Sequence, residues 1–161
     1  MKWERAEKMF AHSGLSLTEG QFHQFSTYQE ILVETNRRMN LTTITEDAEV
    51  WRKHFLDSCL PFQYVEIPKG AAMIDVGTGA GFPGIPMRIL RPDLRLTMLD
   101  SLQKRCIFWN PSARRYKFQC TACMQGQNLV ENSRIYENNL MLRVREPWQQ
   151  CRCCVNIACR L

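Results

Sequence analysis

The sequence predicts an α/β fold in which helices precede a parallel sheet, and two patterns carry this prediction. Between residues 17 and 40, apolar residues recur at helical spacing. Residues 71–99 then hold two short apolar runs, separated by a glycine-rich loop and a helical segment. A strand, a helix and a second strand in this order pair in parallel through a right-handed crossover. With 161 residues, the chain can bury one modest core.

The first two helices are indicated by their spacing and by their ends. An early helix is predicted over residues 2–11, with Ser13 and Gly14 as its stop. At the start of the next helix, Thr18 and Gln21 have the spacing of a capping box. The apolar residues of this second helix recur every three or four positions, with one longer gap, and are Phe22, Phe25, Tyr28, Leu32 and Met39.

The second helix is expected to end near Asn40, where a polar, threonine-rich connector begins. A third helix is predicted from about Glu46 towards Leu60. Pro61 should end it, because proline inside a helix removes a backbone hydrogen bond and clashes with the preceding turn. Together these helices make a mainly helical N-terminal extension, residues 1–65.

The predicted sheet begins with the apolar run Ala71–Val76. A loop, Gly77–Gly84, follows this run, and a helix over Ile85–Leu90 comes next, with prolines where a missing N–H costs little. The second strand covers Leu94–Leu99. Strand, glycine loop, helix and strand in this order indicate a Rossmann-like α/β core that starts within residues 66–108.

The glycines of the loop are suited to a bound cofactor. Gly77, Gly79 and Gly81 allow a positive φ and leave no Cβ between the backbone and a ligand at the end of the strand. Asp100 follows Gly79 by 21 residues. An acidic residue at about this distance accepts hydrogen bonds from ribose hydroxyls in this architecture.

Two classes of cofactor use such a loop. Gly79, Gly81 and Gly84 match the dinucleotide pattern G-x-G-x-x-G, which would make the protein an NAD(P)-dependent oxidoreductase. Asp75 and the three loop glycines match the first motif of class I S-adenosylmethionine methyltransferases. A dinucleotide brings an anionic pyrophosphate, whereas S-adenosylmethionine brings an ammonium and a sulfonium. The carboxylate of Asp75 favours the cation, and the oxidoreductase stays as the alternative.

Four segments resemble one family, the bacterial ribosomal small-subunit methyltransferase G family, also called GidB. They are Met39–Thr42, Trp51–Ser58, Ile74–Pro86 and Leu99–Arg105. The third segment is longer and more particular than the generic methyltransferase loop. The resemblance extends over residues 20–108.

The resemblance implies methylation of guanine N7 in 16S rRNA of the small ribosomal subunit, with S-adenosyl-L-methionine as the methyl donor. It also implies cofactor contacts at Gly77 and Phe82, with Asp100 as the ribose acid by analogy with the class. The full set of expected cofactor-binding residues is Asp75, Gly77, Gly79, Gly81, Phe82 and Asp100.

No general base is expected at this site. Neutral guanine N7 has a lone pair and no proton, so positioning of the two reactants can supply most of the acceleration. We therefore name no catalytic residue, and we expect His54 to be structural or an RNA contact. Phosphates require positive charge, and the candidate RNA contacts are Arg37, Arg38, Arg52, Lys53, Lys104 and Arg105.

Charge and cysteine are concentrated in residues 109–161. Of the 21 Lys and Arg residues, 13 precede residue 109, as do 13 of the 16 Asp and Glu residues, so the formal charge of +5 belongs to this tail. Six of the eight cysteines are there too, including Cys120-x-x-Cys123 and Cys151-x-Cys153-Cys154. They allow a further alternative, a non-enzymatic, zinc-stabilised RNA-binding protein. The second group lacks knuckle spacing and no histidine assists, so we expect no metal.

A frameshift explains the tail better. In the shifted frame, each codon joins the third base of one codon to the first two bases of the next. With a suitable choice of synonymous codons, this frame can encode RAVAAMSVLCEYCLPF from Arg145 to Leu161 and HARAE from Cys123 onward. Similar segments follow the Lys-Arg helix of the family in this order. We therefore expect residues 109–161 to be out of frame, the core to be truncated, and methyl transfer to be weak or absent. The sequence around codons 108 and 109 of the gene tests this expectation.

A membrane-bound protein is not expected. No stretch approaches the roughly 18 uncharged apolar residues of a membrane helix. The first ten residues alternate charge with Trp and Met, unlike the apolar region of a signal peptide. The sequence thus favours a cytoplasmic protein.

Overall fold

The computed structural model describes residues 1–100 and the backbone of residues 119–120, 140–143 and 156–158. Helical elements come first and the strands of a sheet follow. The helical elements are α1 (Trp3–His12), α2 (Glu19–Met39), α3 (Asp47–Glu49), a π-helical segment (Val50–Leu56), α4 (Asp57–Cys59) and α5 (Pro61–Tyr64). The remaining elements are β1 (Ala72–Val76), α6 (Gly84–Leu90), β2 (Arg95–Leu99), β3 (Gln119–Cys120), β4 (Leu140–Arg143) and β5 (Asn156–Ala158).

The first two helices are as predicted. Helix α1 ends at Ser13, and Gly14 has a φ of 65°, a backbone conformation that favours glycine. The capping box of α2 is formed, because Thr18 Oγ1 accepts the Gln21 N–H at 3.3 Å and Gln21 Oε1 accepts the Thr18 N–H at 2.9 Å. Asn40 adopts the left-handed conformation and ends α2.

The third predicted helix needs one correction. It is not a regular α-helix, because Val50–Leu56 is π-helical between α3 and α4. It ends before Pro61, as predicted, because α4 stops at Cys59 with Leu60 as its C-cap. Pro61 then begins the separate short helix α5, at the position where a missing N–H removes no hydrogen bond.

The two predicted strands pair in parallel, which confirms the α/β fold. In the described residues, β1 lies beside β2 from Ala72 against Arg95 to Val76 against Leu99, and the strand order is β3-β2-β1-β4-β5. Strand β3 is parallel to β2 and β4 is parallel to β1, whereas β5 is antiparallel to β4. The sequence did not predict β3, β4 and β5, because strands of two to four residues are too short for a hydrophobic period to show.

The elements from α1 to α5, which precede the sheet, are called the helical segment below. Helix α6 joins the helical segment to the sheet. It contacts β1 and β2 as well as α2, the π-helical segment and α4. The core at this junction consists of fully buried side chains from both parts, among them Phe10, Phe25, Tyr28, Trp51, Phe55, Met73, Ile85 and Met87. Gln21 also joins the two parts, since its Nε2 donates to the Leu90 carbonyl at 2.8 Å.

Some predictions lie outside the described residues. These are the possible zinc ligands Cys123, Cys151, Cys153 and Cys154, and the candidate RNA contacts Lys104 and Arg105. Cys120 belongs to β3, of which only the backbone is described. Of the helices in the described part of the chain, none combines the length and the apolar character that crossing a membrane requires.

Candidate functional site

The glycine loop leaves the carboxyl end of β1 and leads into α6. Gly77, Gly79 and Gly81 have φ values of 77°, 59° and 102°, so all three occupy conformations that other residues rarely adopt. This confirms the backbone torsions expected of these glycines. The loop therefore turns sharply outside the edge of the sheet where parallel strands place their ligand sites.

Two buried carboxyl groups at the ends of β1 and β2 accept hydrogen bonds from the loop. Oδ2 of Asp75 accepts the Thr78 hydroxyl at 2.7 Å and the Gly84 N–H at 2.9 Å. Oδ2 of Asp100, at the end of β2, accepts the Gly79 N–H at 2.9 Å. The exposed fractions of Asp75 and Asp100 are only 1% and 5%. The end of each strand thus supplies one carboxyl group to the conformation of the loop.

Asp75 is set apart electrostatically. Burial raises the pKa of its carboxyl group to about 7, and the neighbouring Asp100 adds to the rise, while the hydrogen bonds from Thr78 and Gly84 oppose it. Its Oδ1 is buried without a hydrogen-bond partner in the described residues. The carboxyl group of Asp75 bonds to the loop that covers it, and a contact between Asp75 and a ligand stays a prediction.

The glycines differ in what surrounds them. Among the described residues, a Cβ at Gly77 would meet nothing within 4 Å, and one at Gly79 would meet only the Gly77 carbonyl at 3.9 Å. A Cβ at Gly81 would approach Ile85 Cδ1 to 2.5 Å and the Tyr28 hydroxyl to 2.8 Å. The described residues therefore leave space beside the backbone of Gly77 and Gly79, whereas a side chain at Gly81 would clash with its neighbours.

The helical segment holds the other side of the loop. The hydroxyl of Tyr28, on α2, donates to the Ala80 carbonyl, and the ring of Phe82 packs between helical side chains. The imidazole of His54 stacks on Phe82, with 4.5 Å between ring centroids and 15° between their planes. Sequence reasoning did not assign Tyr28 to the site, although the hydroxyl of a buried tyrosine usually requires a partner.

His54 is placed by the structure among structural residues. Its exposed fraction is 4%, which agrees with the structural one of the two roles expected for it. Burial and, to a smaller extent, the charge of Lys53 lower the pKa of the imidazole to about 4, which keeps the ring neutral at pH 7. A buried, neutral ring does not supply the positive charge that dominates binding to phosphates.

The candidate RNA contacts on the helices fall into two pairs. Arg37 and Arg38 are exposed in the last turn of α2. Arg52 and Lys53 each form an ion pair with Glu49. The structure thus leaves Arg37 and Arg38 as the more available cations for a phosphate.

Comparison with known proteins gives this site a family. A family model described as rRNA small subunit methyltransferase G, GidB, matches residues 21–139. A curated protein of that name from Bacillus thuringiensis (strain Al Hakam) is 44% identical over 122 residues, which are 76% of this chain and 51% of the relative. A protein of the same name from Clostridium botulinum (strain Loch Maree / Type A3) is 42% identical over 113 residues, 70% of this chain and 47% of the relative.

The chain belongs to the GidB family. The matched region contains the whole site described above, from Tyr28 and His54 on the helical segment to Asp100 at the end of β2. It also continues to residue 139, beyond residue 108, where the sequence analysis placed the end of the resemblance. The chain spans about half the length of the curated GidB relatives it matches.

Proposed function

We propose that the loop after β1 binds S-adenosyl-L-methionine and that the chain serves methylation of guanine N7 in 16S rRNA of the small ribosomal subunit. The observation that carries the proposal is the open backbone at Gly77 and Gly79, next to the carboxyl group of Asp100. The GidB relatives support it, because their name describes methylation of small-subunit ribosomal RNA.

The sheet supports a Rossmann-like class I core. Strands β2 and β3 lie on one side of β1, and β4 lies on the other, so the direction of the connections reverses beside β1. Ligands of open α/β sheets bind outside the carboxyl ends of the strands at such a reversal. The glycine loop begins at this point in the sheet.

The chemistry of the loop suits a cation better than a pyrophosphate. S-adenosylmethionine carries an ammonium and a sulfonium, and Asp75 and Asp100 both bond to the loop. A pyrophosphate would need backbone N–H groups turned towards it. The N–H groups of Gly79 and Gly84 instead donate to the two carboxyl groups. This favours the methyl donor over NAD(P).

Each proposed cofactor residue has a distinct task. Gly77 and Gly79 would let the cofactor approach the backbone, and Asp100 would accept from its ribose. Phe82 would supply an apolar contact. Asp75 and Gly81 would act indirectly, because Asp75 holds the loop from below and Gly81 packs against Tyr28 and Ile85.

The reaction requires the chain to position the cofactor and the guanine base. The bound cofactor supplies an electrophilic methyl group. The lone pair of guanine N7 would form the new bond to the methyl carbon as the bond from that carbon to sulfur breaks, and a neutral thioether would leave. No proton is lost, so no side chain has to serve as a base. The chain has to hold the cofactor, align the base and exclude water, which are contributions of orientation. The phosphates of the RNA would meet Arg37, Arg38 and Arg52.

Although the family match extends to residue 139, we further propose that residues 109–161 are out of frame and that this weakens catalysis. The neighbouring frame permits segments similar to those that carry further cofactor contacts in the family. The gene sequence around codons 108 and 109 decides this point. A single open frame that encodes neither HARAE nor RAVAA in its neighbour would refute it.

Calorimetric titration with S-adenosylmethionine, S-adenosylhomocysteine and NADH tests the cofactor. We expect both adenosyl ligands to bind and NADH not to bind. Binding of NADH alone would refute the proposal. Methylation of small subunits that lack the mark, followed by mass spectrometry of the modified guanine, tests the reaction. We expect turnover far below that of a full-length GidB relative; comparable turnover would overturn the proposal about the tail.

A further inference from the structure

The ring of His54 has a defined orientation, although no catalytic task uses it. Nε2 of His54 lies 2.9 Å from Oγ1 of Thr42. Either atom can donate in this hydrogen bond, depending on the tautomer of the imidazole. In both cases the bond fixes the plane of the ring. The ring stacks on Phe82 in the glycine loop with its plane 15° from that of Phe82.

Thr42 is itself held on both sides. The Asn36 side chain makes two hydrogen bonds to its backbone, from Nδ2 to the Thr42 carbonyl at 2.9 Å and from the Thr42 N–H to Oδ1 at 2.8 Å. The Thr42 hydroxyl also accepts the Ile44 N–H at 3.1 Å. The hydroxyl therefore cannot turn freely, and its direction is set by the end of α2 and by the connector after it.

The π-helical segment brings His54 to the loop. Val50, Trp51, His54, Phe55 and Leu56 of this segment are buried together. A π-helical insertion within a helix is frequent at functional sites because it changes which side chains share a face. Here it places His54 against Phe82 while Phe55 packs against Tyr28.

We propose that Thr42 and His54 are positioning residues for the cofactor loop: Thr42 orients the His54 ring, and that ring places Phe82. The inference rests on the proposed function, in which Phe82 contacts the cofactor. It extends the site to the connector after α2. None of the hydrogen bonds described above joins this connector directly to the glycine loop or to Asp75 and Asp100. The His54 ring thus contacts the loop through Phe82, and Asp75 and Asp100 bond to the loop backbone from the strands.

Thr42→Val tests the hydrogen bond, since valine has the shape of threonine without the hydroxyl. Titration of the full chain with S-adenosylhomocysteine should show a Kd raised about fivefold, the effect of one lost hydrogen bond. Thr43→Val is the matched control, because it makes the same change at the next residue, which is exposed. Thr43→Val should leave the Kd unchanged, and Thr42→Ser should restore it.

A double-mutant cycle separates positioning from general destabilisation. His54→Phe keeps a ring beside Phe82 and removes the nitrogen that Thr42 bonds. We expect this variant to raise the Kd, and Thr42→Val to add little to it, because the bond between Thr42 and His54 is already lost and the Ile44 N–H bond does not reach the loop. The proposal would be overturned if the double variant showed the product of the two single fold-changes in Kd. It would also be overturned if Thr42→Val and Thr43→Val had the same Kd.

Hydrogen exchange of the loop needs no cofactor and covers the case in which a variant or the parent chain does not bind. The N–H groups of Gly81 and Phe82 both donate to the Thr78 carbonyl. Their exchange should become faster in Thr42→Val and stay unchanged in Thr43→Val. Failure of the parent chain to bind S-adenosylhomocysteine would refute the proposed function; equal loop exchange in the two variants would refute the positioning role.

Discussion

The helical segment and the glycine loop meet at Phe82 and are held in different ways. On the helical side, aromatic rings pack in a continuous cluster; the ring centroids of Phe25 and Phe55 are 4.9 Å apart, and those of Trp51 and Phe55 are 5.3 Å apart. On the loop side, carboxyl groups bond to backbone N–H groups and a hydroxyl. Apolar packing is not directional, whereas these bonds fix positions. Damage to the rings should therefore lower stability, and damage to the loop should change binding.

The largest effect on stability should come from Trp51→Ala. Trp51 is fully buried, its Nε1 donates to Gln29, and its ring packs on Phe22 and Phe25. Removal of a buried tryptophan should lower the free energy of unfolding by about 3–5 kcal/mol. Urea denaturation measures it.

The control for this variant is Tyr64→Ala, because Tyr64 is 80% exposed. Its effect should stay within about 0.5 kcal/mol. A loss under about 1 kcal/mol for Trp51→Ala would mean that the aromatic cluster does not carry the stability of the helical segment.

Two glycine variants should separate stability from binding. Gly81→Ala combines a φ of 102° with a Cβ that would press on Ile85 and Tyr28, so it should cost about 3 kcal/mol or more. Gly77→Ala meets open space and should cost only about 1–2 kcal/mol for its positive φ. Gly77→Ala should nevertheless weaken S-adenosylhomocysteine binding, because its methyl group lies where the ligand would approach. Equal stability of the two variants would contradict this assignment.

Asp75→Asn should change how stability depends on pH. Burial raises the pKa of Asp75 from 3.8 to about 7, so the folded state holds a proton that the unfolded state releases, and stability falls as the pH rises between these values. His54 acts in the opposite sense, because its pKa is lowered from 6.5 to about 4, and its contribution to stability grows as the pH rises through that range. The two slopes oppose each other in the parent chain.

Asp75→Asn removes the falling contribution and leaves that of His54. Urea denaturation at several pH values between 4 and 7 should therefore show stability rising more steeply with pH in the variant than in the parent chain. Parallel curves would show that Asp75 titrates as it does in water.

The smallest effect should come from Tyr28→Phe. This change keeps the buried ring and removes the hydroxyl that donates to the Ala80 carbonyl. The loss should be about 1 kcal/mol of stability, the contribution of one hydrogen bond. Tyr64→Phe makes the same change at an exposed ring and should have no effect on urea denaturation. If both variants behave alike, the hydroxyl of Tyr28 does not hold the loop.

Features determined by neighbouring residues were predictable from the sequence. The capping box of Thr18 and Gln21, the turn at Gly14 and the strand, loop, helix order around Gly77 all depend on short spacings. The parallel pairing of β1 and β2 followed from that order and from the known hand of the crossover.

Features that depend on distant contacts were not predictable. Tyr28 and Ala80 are 52 residues apart, and only the fold brings them together. The π-helical segment has no sequence pattern that separates it from an α-helix. Asp75 and Asp100 were both assigned to the ligand, since type and spacing do not tell which carboxyl group a loop will cover. Both are buried, and only the folded chain shows that Asp75 bonds to Thr78 and Gly84 whereas Asp100 bonds to Gly79.

Gln21 serves two helix ends at once, and this restricts what can replace it. In most capping boxes, glutamate performs as well as glutamine, because only the acceptor oxygen is used. Here the amide Nε2 also donates to the carbonyls of Leu90 and Ile89, at the end of α6. A carboxylate would turn negative charge towards the negative end of that helix dipole. An amide therefore suits the start of α2 better than a carboxylate, because its donor adds a link between α2 and α6 to the packed core.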